Sequence, residues 1–233
     1  IDSKEIEDTY IRLDTDLSRL FQALDTKVGT GNYTVFLTAD HAAIEVPSYL
    51  KSMGVPAGYF DGTAFNQHLT AFMVETFKAE DLIENISNNQ IFLNRERIKT
   101  LNLKLEDVQQ AIVDEIIAYD HIDKAYTAFS MTNTSFTEGI EHLIQNGYNQ
   151  MRSGDVIYVF DPAFISYTGT GSTHGSSFEY DTHVPLLFFG KGIKHGATFQ
   201  NTEITDIAPT ISALLDITAP NANIGQPLEF VLE

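Results

Sequence analysis

The chain has 233 residues, of which 43% are hydrophobic, and it carries a formal net charge of −18 with no cysteine. The length suits one large domain or part of a bigger protein, and the composition allows a substantial buried core. The acidic residues are spread along the sequence, so they predict a solvated surface that repels nucleic acid and anionic lipid. The lack of cysteine excludes a disulfide scaffold, a thiol nucleophile and a zinc site of the cysteine type.

No apolar run in the sequence is long enough to span a bilayer, and no signal peptide begins at residue 1. The opening residues, "IDSKEIEDTYIRLDTDL", already have the character of a helix interior. We therefore expect the natural protein to begin upstream of residue 1. We expect neither a nucleic acid nor a membrane as a partner.

The first predicted element is an amphipathic helix over residues 6–24, because apolar side chains recur there at steps of three and four. After a turn at "GTGN", residues 33–40 form a short apolar run that ends in a polar pair. This profile is typical of a buried parallel strand. Residues 156–162 and 184–190 share the profile and receive the same prediction.

Helical periodicity between these strands predicts helices at residues 65–79, 105–119 and 136–147. The segment "NQIFLNRERIK" predicts a strand that is followed directly by the start of a helix. Near the C-terminus, Thr and Asp residues precede Pro209 and an apolar periodic run, which predicts a capped helix start.

Strands that alternate with helices predict a doubly wound α/β fold, in which helices cover both faces of a mostly parallel sheet. The segment 60–150 is too long for a simple crossover between two strands, so we interpret it as an inserted α+β subdomain. Residues 1–59 and 151–233 would then form the core domain.

Asp40 and His41 directly follow the first predicted strand. In open α/β sheets, ligands bind beyond the carboxyl ends of the strands, and a carboxylate oxygen and an imidazole nitrogen are both good zinc ligands. The alternative is an Asp that caps the next turn beside an ordinary loop His. These two residues alone do not decide between the interpretations.

His174 lies in a long loop rich in Gly, Ser and Thr between the second and third predicted strands. Small residues let the backbone approach a ligand closely, although a solvent-exposed histidine is the simpler interpretation. His183 competes for the same role, and Asp181 is a candidate acceptor that fixes the tautomer of a metal-binding histidine. The other histidines are predicted to be structural or surface residues: His68, His121, His142 and His195.

Three motifs, "LTADH", "THGS…YDTHVPLLFFGKGI" and "TDIAPTISALLDI…P…IGQPL", occur in this order. Together they resemble the alkaline phosphatase superfamily, and in particular its periplasmic, phosphate-irrepressible PafA-type branch. By this resemblance, Asp40 and His41 would bind one zinc ion and His174 a second, whereas His183 would not be a ligand. Ala42 stands where the family has glycine, so its Cβ would crowd the turn if the backbone required a positive φ there.

The resemblance further implies hydrolysis of small phosphate monoesters by a complete enzyme with two Zn²⁺ ions, in a periplasmic or secreted location. In the family, an N-terminal half provides the Thr or Ser nucleophile, the remaining metal ligands and the groups that contact phosphate. This chain resembles the C-terminal half. We therefore expect no catalytic nucleophile in it, empty or partial metal sites, and no appreciable phosphatase activity from the chain alone.

Two other interpretations stay open. Within the superfamily, enzymes that cleave phosphodiesters, phosphonates or sulfate esters differ mainly in groups that this chain does not contain. A sulfatase would need a Ca²⁺ site of oxygen ligands, which the histidine of "THGS" does not favour. Outside the superfamily, the acidic surface would suit a non-catalytic module that binds a partner.

Overall fold

The computed structural model describes residues 3–167 and 169–233. The α-helices in this part of the chain are α1 (Lys4–Lys27), α2 (Pro47–Ser52), α3 (Gly62–Phe77), α4 (Arg95–Thr100), α5 (Leu105–Ile116), α6 (Ala128–Asn133), α7 (Gly139–Gly147), α8 (Glu179–Thr182) and α9 (Ile207–Leu214). The strands are β1 (Thr34–Leu37), β2 (Gly58–Tyr59), β3 (Ile83–Ser87), β4 (Gln90–Leu93), β5 (Ile122–Thr127), β6 (Val156–Phe160), β7 (Phe164–Ile165) and β8 (Leu187–Gly190). The chain divides into two compact units, one of residues 41–183 and the other of residues 3–40 together with 184–233.

The first unit is built around a four-stranded antiparallel sheet in the order β3-β4-β6-β5. All five residues of β6 are buried. Helices α3 and α5 each place apolar side chains at steps of four, so one stripe of each helix packs into the same hydrophobic core as the sheet. The most deeply buried of these helical residues are Phe65, Leu69, Val108, Ile112 and Ile116.

Side-chain caps decide where two helices of this unit begin. The Asp61 carboxylate accepts the N–H groups of Thr63 and Ala64 at the start of α3, and Asn94 accepts the N–H of Arg97 at the start of α4. These bonds satisfy donors that have no partner within the helix. The strand followed by a helix that "NQIFLNRERIK" predicted is confirmed as β4 and α4.

A smaller cluster of buried apolar residues in the first unit consists of Ile44, Ala57, Ala163 and Ile165. The two-residue strands β2 and β7 pair in parallel beside it. The Tyr59 hydroxyl donates a hydrogen bond to the Gly171 oxygen over 2.8 Å. This cluster therefore anchors the beginning of the glycine-rich segment that carries His174.

The second unit contains α1, the antiparallel pair β1–β8, and α9. At the end of β8, Gly190 has φ +112°, and a Cβ there would lie 2.1 Å from the Tyr33 oxygen, so only glycine fits. Before α9, the side chains of Glu203 and Asp206 form a capping box on the 3-10 turn Ile204–Asp206. The predicted helix is present as α9, but its N-cap residue Asp206 makes no side-chain hydrogen bond to the first turn of α9. Across the described residues, no helix is both long enough and apolar enough to cross a membrane.

The helices predicted over 6–24, 65–79, 105–119 and 136–147 are confirmed as α1, α3, α5 and α7. The direction of the strands was predicted wrongly. β1 and β8 pair antiparallel with each other, and β6 pairs antiparallel with both of its neighbours. An apolar run signals burial but carries no information about which strand lies beside it. The α/β class is therefore confirmed, with both antiparallel and parallel strand pairs. The doubly wound arrangement and the separate subdomain over 60–150 stay predictions.

Candidate metal centre

The structure brings together two histidines of the first unit that are distant in sequence. The rings of His41 and His174 are stacked, with their centroids 3.5 Å apart and their planes 14° from parallel. His41 is half-buried and His174 is exposed. The resemblance assigned these two histidines to the two zinc ions of one enzyme, and within this unit their side chains are in contact.

A backbone carbonyl orients the ring of His41. Its Nδ1 lies 2.7 Å from the oxygen of Ala42. A carbonyl oxygen can only accept a hydrogen bond, so Nδ1 carries the proton and the lone pair of the neutral ring is on Nε2. A ring nitrogen fixed in this way is the usual arrangement of a histidine that binds a metal through its other nitrogen.

Asp181 links the two segments that carry these histidines. Its backbone oxygen accepts the N–H of Ala42 over 2.8 Å. Its Oδ2 accepts the N–H of Ser176 over 2.8 Å and the hydroxyl of Ser176 over 2.7 Å. The residue is 4% exposed. The sequence suggested Asp181 as an acceptor for a histidine, but its side chain bonds to Ser176, and the acceptor for His41 Nδ1 is Ala42.

Two backbone features of this region bear on the predictions. Gly175, directly after His174, has φ +113°, a conformation that side chains other than glycine rarely adopt. Ala42 does not have a positive φ. The positive φ on which crowding of the turn depended is therefore absent, and the Cβ that distinguishes Ala42 from the family's glycine causes no strain of that kind.

The other predicted site residues are placed as follows. Asp40 is exposed, and it is the last residue of the second unit before His41 opens the first. His183 is exposed and follows α8, where its N–H bonds to the Glu179 oxygen. Within the described residues, no group of three or more His, Cys, Asp or Glu side chains is gathered closely enough to hold a metal ion.

The remaining histidines have contacts that suit structural or surface roles. His68 bonds to Glu115 over 2.7 Å, and His121 stacks on Phe164. His142 bonds to the Phe136 oxygen over 2.9 Å. His195 is exposed.

Sequence reasoning missed a buried charge in the first unit. Asp155 is 2% exposed and accepts hydrogen bonds from the Leu93 N–H, the Arg95 guanidinium and the Gln109 amide. Its backbone oxygen also accepts the N–H of Ala128. The only signal in the sequence was a lone Asp directly before a strand, which by itself resembles an ordinary turn residue.

Sequence comparison supports the family resemblance that the motifs around His41 and His174 indicated. The chain belongs to the type I phosphodiesterase / nucleotide pyrophosphatase family, whose sequence model matches residues 1–184. The description of this family names enzymes that hydrolyse phosphoric esters, which is the class that the resemblance implied.

Individual relatives support the same relationship. The chain is 37% identical over 231 residues to alkaline phosphatase PafA of Elizabethkingia meningoseptica, covering 99% of this chain and 42% of the relative. It is also 37% identical over 235 residues to a protein of Myroides odoratus named calcium-transporting ATPase, covering 100% of this chain and 43% of that protein. The crystal structure of wild-type PafA matches with a TM-score of 0.92 and 36% identity, over 100% of this chain and 44% of that one. The predicted resemblance to PafA-type phosphatases is thus confirmed, and the chain spans less than half the length of these relatives.

Proposed function

We propose that this chain provides part of a two-zinc site for the hydrolysis of phosphate monoesters, with Asp40 and His41 as ligands of one ion and His174 as a ligand of the other. The observation that carries the proposal is the contact between the rings of His41 and His174. It joins the two motifs on which the family resemblance depends, although they lie at opposite ends of the first unit's sequence.

The geometry of the ring pair favours two ions over one. The lone pair of an imidazole nitrogen lies in the plane of its ring, and zinc binds at about 2 Å from the nitrogen. The two rings are stacked with their centroids 3.5 Å apart and their planes nearly parallel. A single ion therefore cannot lie in both ring planes within bonding distance of both nitrogens. Ions in two-metal sites stand roughly 3.5–4 Å apart, which matches one ion for each ring.

The donor set fits zinc chemically but is incomplete in the described residues. Catalytic zinc usually has three protein ligands, and this chain offers two for one ion and one for the other. When bound, such ions activate a nucleophile and offset the charge that develops on the phosphoryl group. The chain's own part is to hold the two histidine rings side by side and to fix the tautomer of His41.

The nucleophile and the other ligands would come from a complementary segment equivalent to the rest of the relatives' length. That segment is the proposed partner of this chain, and a small phosphate ester is the proposed substrate. By the same likeness to PafA, the complete protein would be periplasmic or secreted. The domain organisation, with a core of 1–59 and 151–233 and an insertion at 60–150, belongs to this proposal.

Phosphodiester hydrolysis is the second candidate function, because the family model that matches the chain is described by phosphodiesterase and nucleotide pyrophosphatase activities. Hydrolysis of phosphonates and of sulfate esters are further alternatives within the superfamily. A non-catalytic acidic module is the alternative from a different class.

A chimera tests the proposal directly. The matching segment of PafA is replaced by this chain, and hydrolysis of p-nitrophenyl phosphate and bis(p-nitrophenyl) phosphate is measured together with zinc content. We expect monoesterase activity and two zinc ions in the chimera, neither in the chain alone, and loss of both on His41→Ala or His174→Ala. His183→Ala and His195→Ala are the controls and should leave activity unchanged. Full activity with His41→Ala, or loss with His183→Ala, would refute the ligand assignment.

A further inference from the structure

We infer that Asp181 is a positioning residue whose hydrogen bonds hold the segments that carry His41 and His174 at a fixed distance from each other. We call this set of hydrogen bonds the clamp. The inference rests on the proposed function, in which His41 and His174 bind separate ions. It concerns how the chain prepares those rings before any metal arrives.

The first part of the clamp is the hydrogen-bonded path from one histidine to the other. His41 Nδ1 donates to the Ala42 oxygen, and the Ala42 N–H donates to the Asp181 oxygen. The Asp181 carboxylate then accepts both donors of Ser176, which lies two residues after His174. The bond to Ala42 uses the backbone of Asp181 and the two bonds to Ser176 use its side chain, so loss of the side chain would detach the loop of His174 from the segment of His41.

The second part is a tie on the other side of His174. The Ser172 hydroxyl donates a hydrogen bond to the Ile44 oxygen, and Ile44 is 3% exposed in the smaller apolar cluster. His174 is therefore flanked by two anchors, Ser172 and Ser176, on a stretch that is otherwise free of helix and strand. An exposed loop histidine keeps a fixed ring position only if its backbone is held in this way.

The clamp uses one oxygen of the Asp181 side chain as a hydrogen-bond acceptor. Among the described residues, Asp181 Oδ1 is buried without a hydrogen-bond partner, and the Asp181 carboxylate makes no ion pair with a Lys, Arg or His. The contacts made by Oδ2 and the backbone oxygen need acceptors only. An asparagine offers the same side-chain acceptor at nearly the same shape, so it should preserve the clamp.

The experiment compares Asp181→Ala with Asp181→Asn in the metal-free 233-residue chain, using NMR of the histidine rings. In the unsubstituted chain we expect a ring-to-ring nuclear Overhauser effect between His41 and His174 and the upfield ring-current shifts of stacked imidazoles. Asp181→Ala should abolish both signals while the amide signals of β6 stay in place, and Asp181→Asn should restore them. Asp161→Ala, which removes the exposed partner of His121, is the matched control and should change neither.

The outcomes separate this inference from the proposed function. Retained ring contacts in Asp181→Ala, or their loss in Asp181→Asn as well, would overturn the clamp whether or not zinc binds. If Asp181→Ala does not fold, Ser176→Ala removes one of the two bonds to Oδ2, and unchanged ring signals in that variant would overturn the clamp. Failure of the chimera to bind zinc would instead refute the proposed function, while the ring signals and their rescue by Asn would stand.

Discussion

The two units of the chain bury their helices and strands very differently. Both clusters of buried apolar side chains lie in the first unit, the larger around β6 and the helices α3 and α5 and the smaller beside β2 and β7. In the second unit, α1 buries none of its residues. The strand pair β1–β8 exposes four large apolar side chains: Phe36, Leu37, Leu187 and Phe189.

This contrast shows that an amphipathic pattern and a buried face are separate properties. The periodicity of α1 is as regular as that of α5, yet Ile6, Leu13 and Leu20 are each more than two-fifths exposed. A two-stranded sheet is at best marginally stable alone in water, and contiguous exposed apolar surface usually marks a contact.

The largest expected difference between the units is in amide hydrogen exchange. Opening free energies range from near zero at unsupported elements to the full stability of the core. Because α1 buries no side chain, its amides should exchange almost as in an isolated helical peptide. Amides of β6 and α5 should be protected roughly a thousandfold or more, as expected for a core worth at least about 5 kcal/mol. Mass spectrometry of exchanged fragments measures both.

One outcome of the exchange experiment would contradict the contrast between the two units. If α1 were protected as strongly as β6, the apolar face of α1 would already have a stabilising partner. Exchange of the same α1 fragment in the PafA chimera provides the matched comparison, where protection should rise.

The next largest effect is expected from the buried charge at Asp155. Asp155→Ala leaves the Gln109 amide and the Leu93 N–H without their acceptor and removes the partner of Arg95. The Arg95 side chain is 52% exposed and stays solvated, so the cost comes mainly from the two donors that lose their acceptor, about 1–3 kcal/mol for each. Asp8→Ala in the second unit removes the exposed pair with Arg12 and should cost roughly 0.2–1 kcal/mol. Urea unfolding monitored by circular dichroism measures both changes in the free energy of unfolding. Equal changes for Asp155→Ala and Asp8→Ala would contradict the contrast between the two units.

Much of this difference could not have been predicted from the sequence. Helix positions followed from periodicity, and the start of α4 followed from the strand and polar residues around Asn94. Burial did not follow, because it depends on which surface an element meets. The antiparallel partners of β1 and β6 were missed for the same reason. The histidine pair was expected only through family resemblance, since neither His41 nor His174 was distinguishable alone from a loop histidine.

Truncation of a large apolar side chain should also destabilise the first unit more than the second, by a smaller margin. Leu69 in α3 is 0% exposed, and Leu20 in α1 is 46% exposed. Leu69→Ala should cost about 2–5 kcal/mol, through lost burial and the cavity that remains. Leu20→Ala should change the free energy of unfolding by less than about 0.5 kcal/mol, because the site is exposed and alanine is a good helix former. A comparable loss at Leu20 would mean that α1 packs in solution.

The smallest expected effect is a pH dependence that separates two tyrosines. Burial raises the pKa of Tyr158, on β6 of the first unit, to about 12 from the usual 10.0. A phenol whose folded-state pKa is raised stabilises the fold fully below its unfolded pKa, and that stability is lost as pH rises from about 10 to about 12. Each tenfold difference in proton affinity between the folded and unfolded states is worth about 1.4 kcal/mol, so Tyr158→Phe should flatten the fall in unfolding free energy across this window by roughly 2–3 kcal/mol.

Tyr33, in the second unit, has a pKa raised by desolvation and by its bond to Asp25, but it is near the surface, so Tyr33→Phe should leave the slope almost unchanged. Equal slopes for the two Phe variants would show that the second unit shields its tyrosine as well as the first, and the contrast in burial between the units would then not hold in solution.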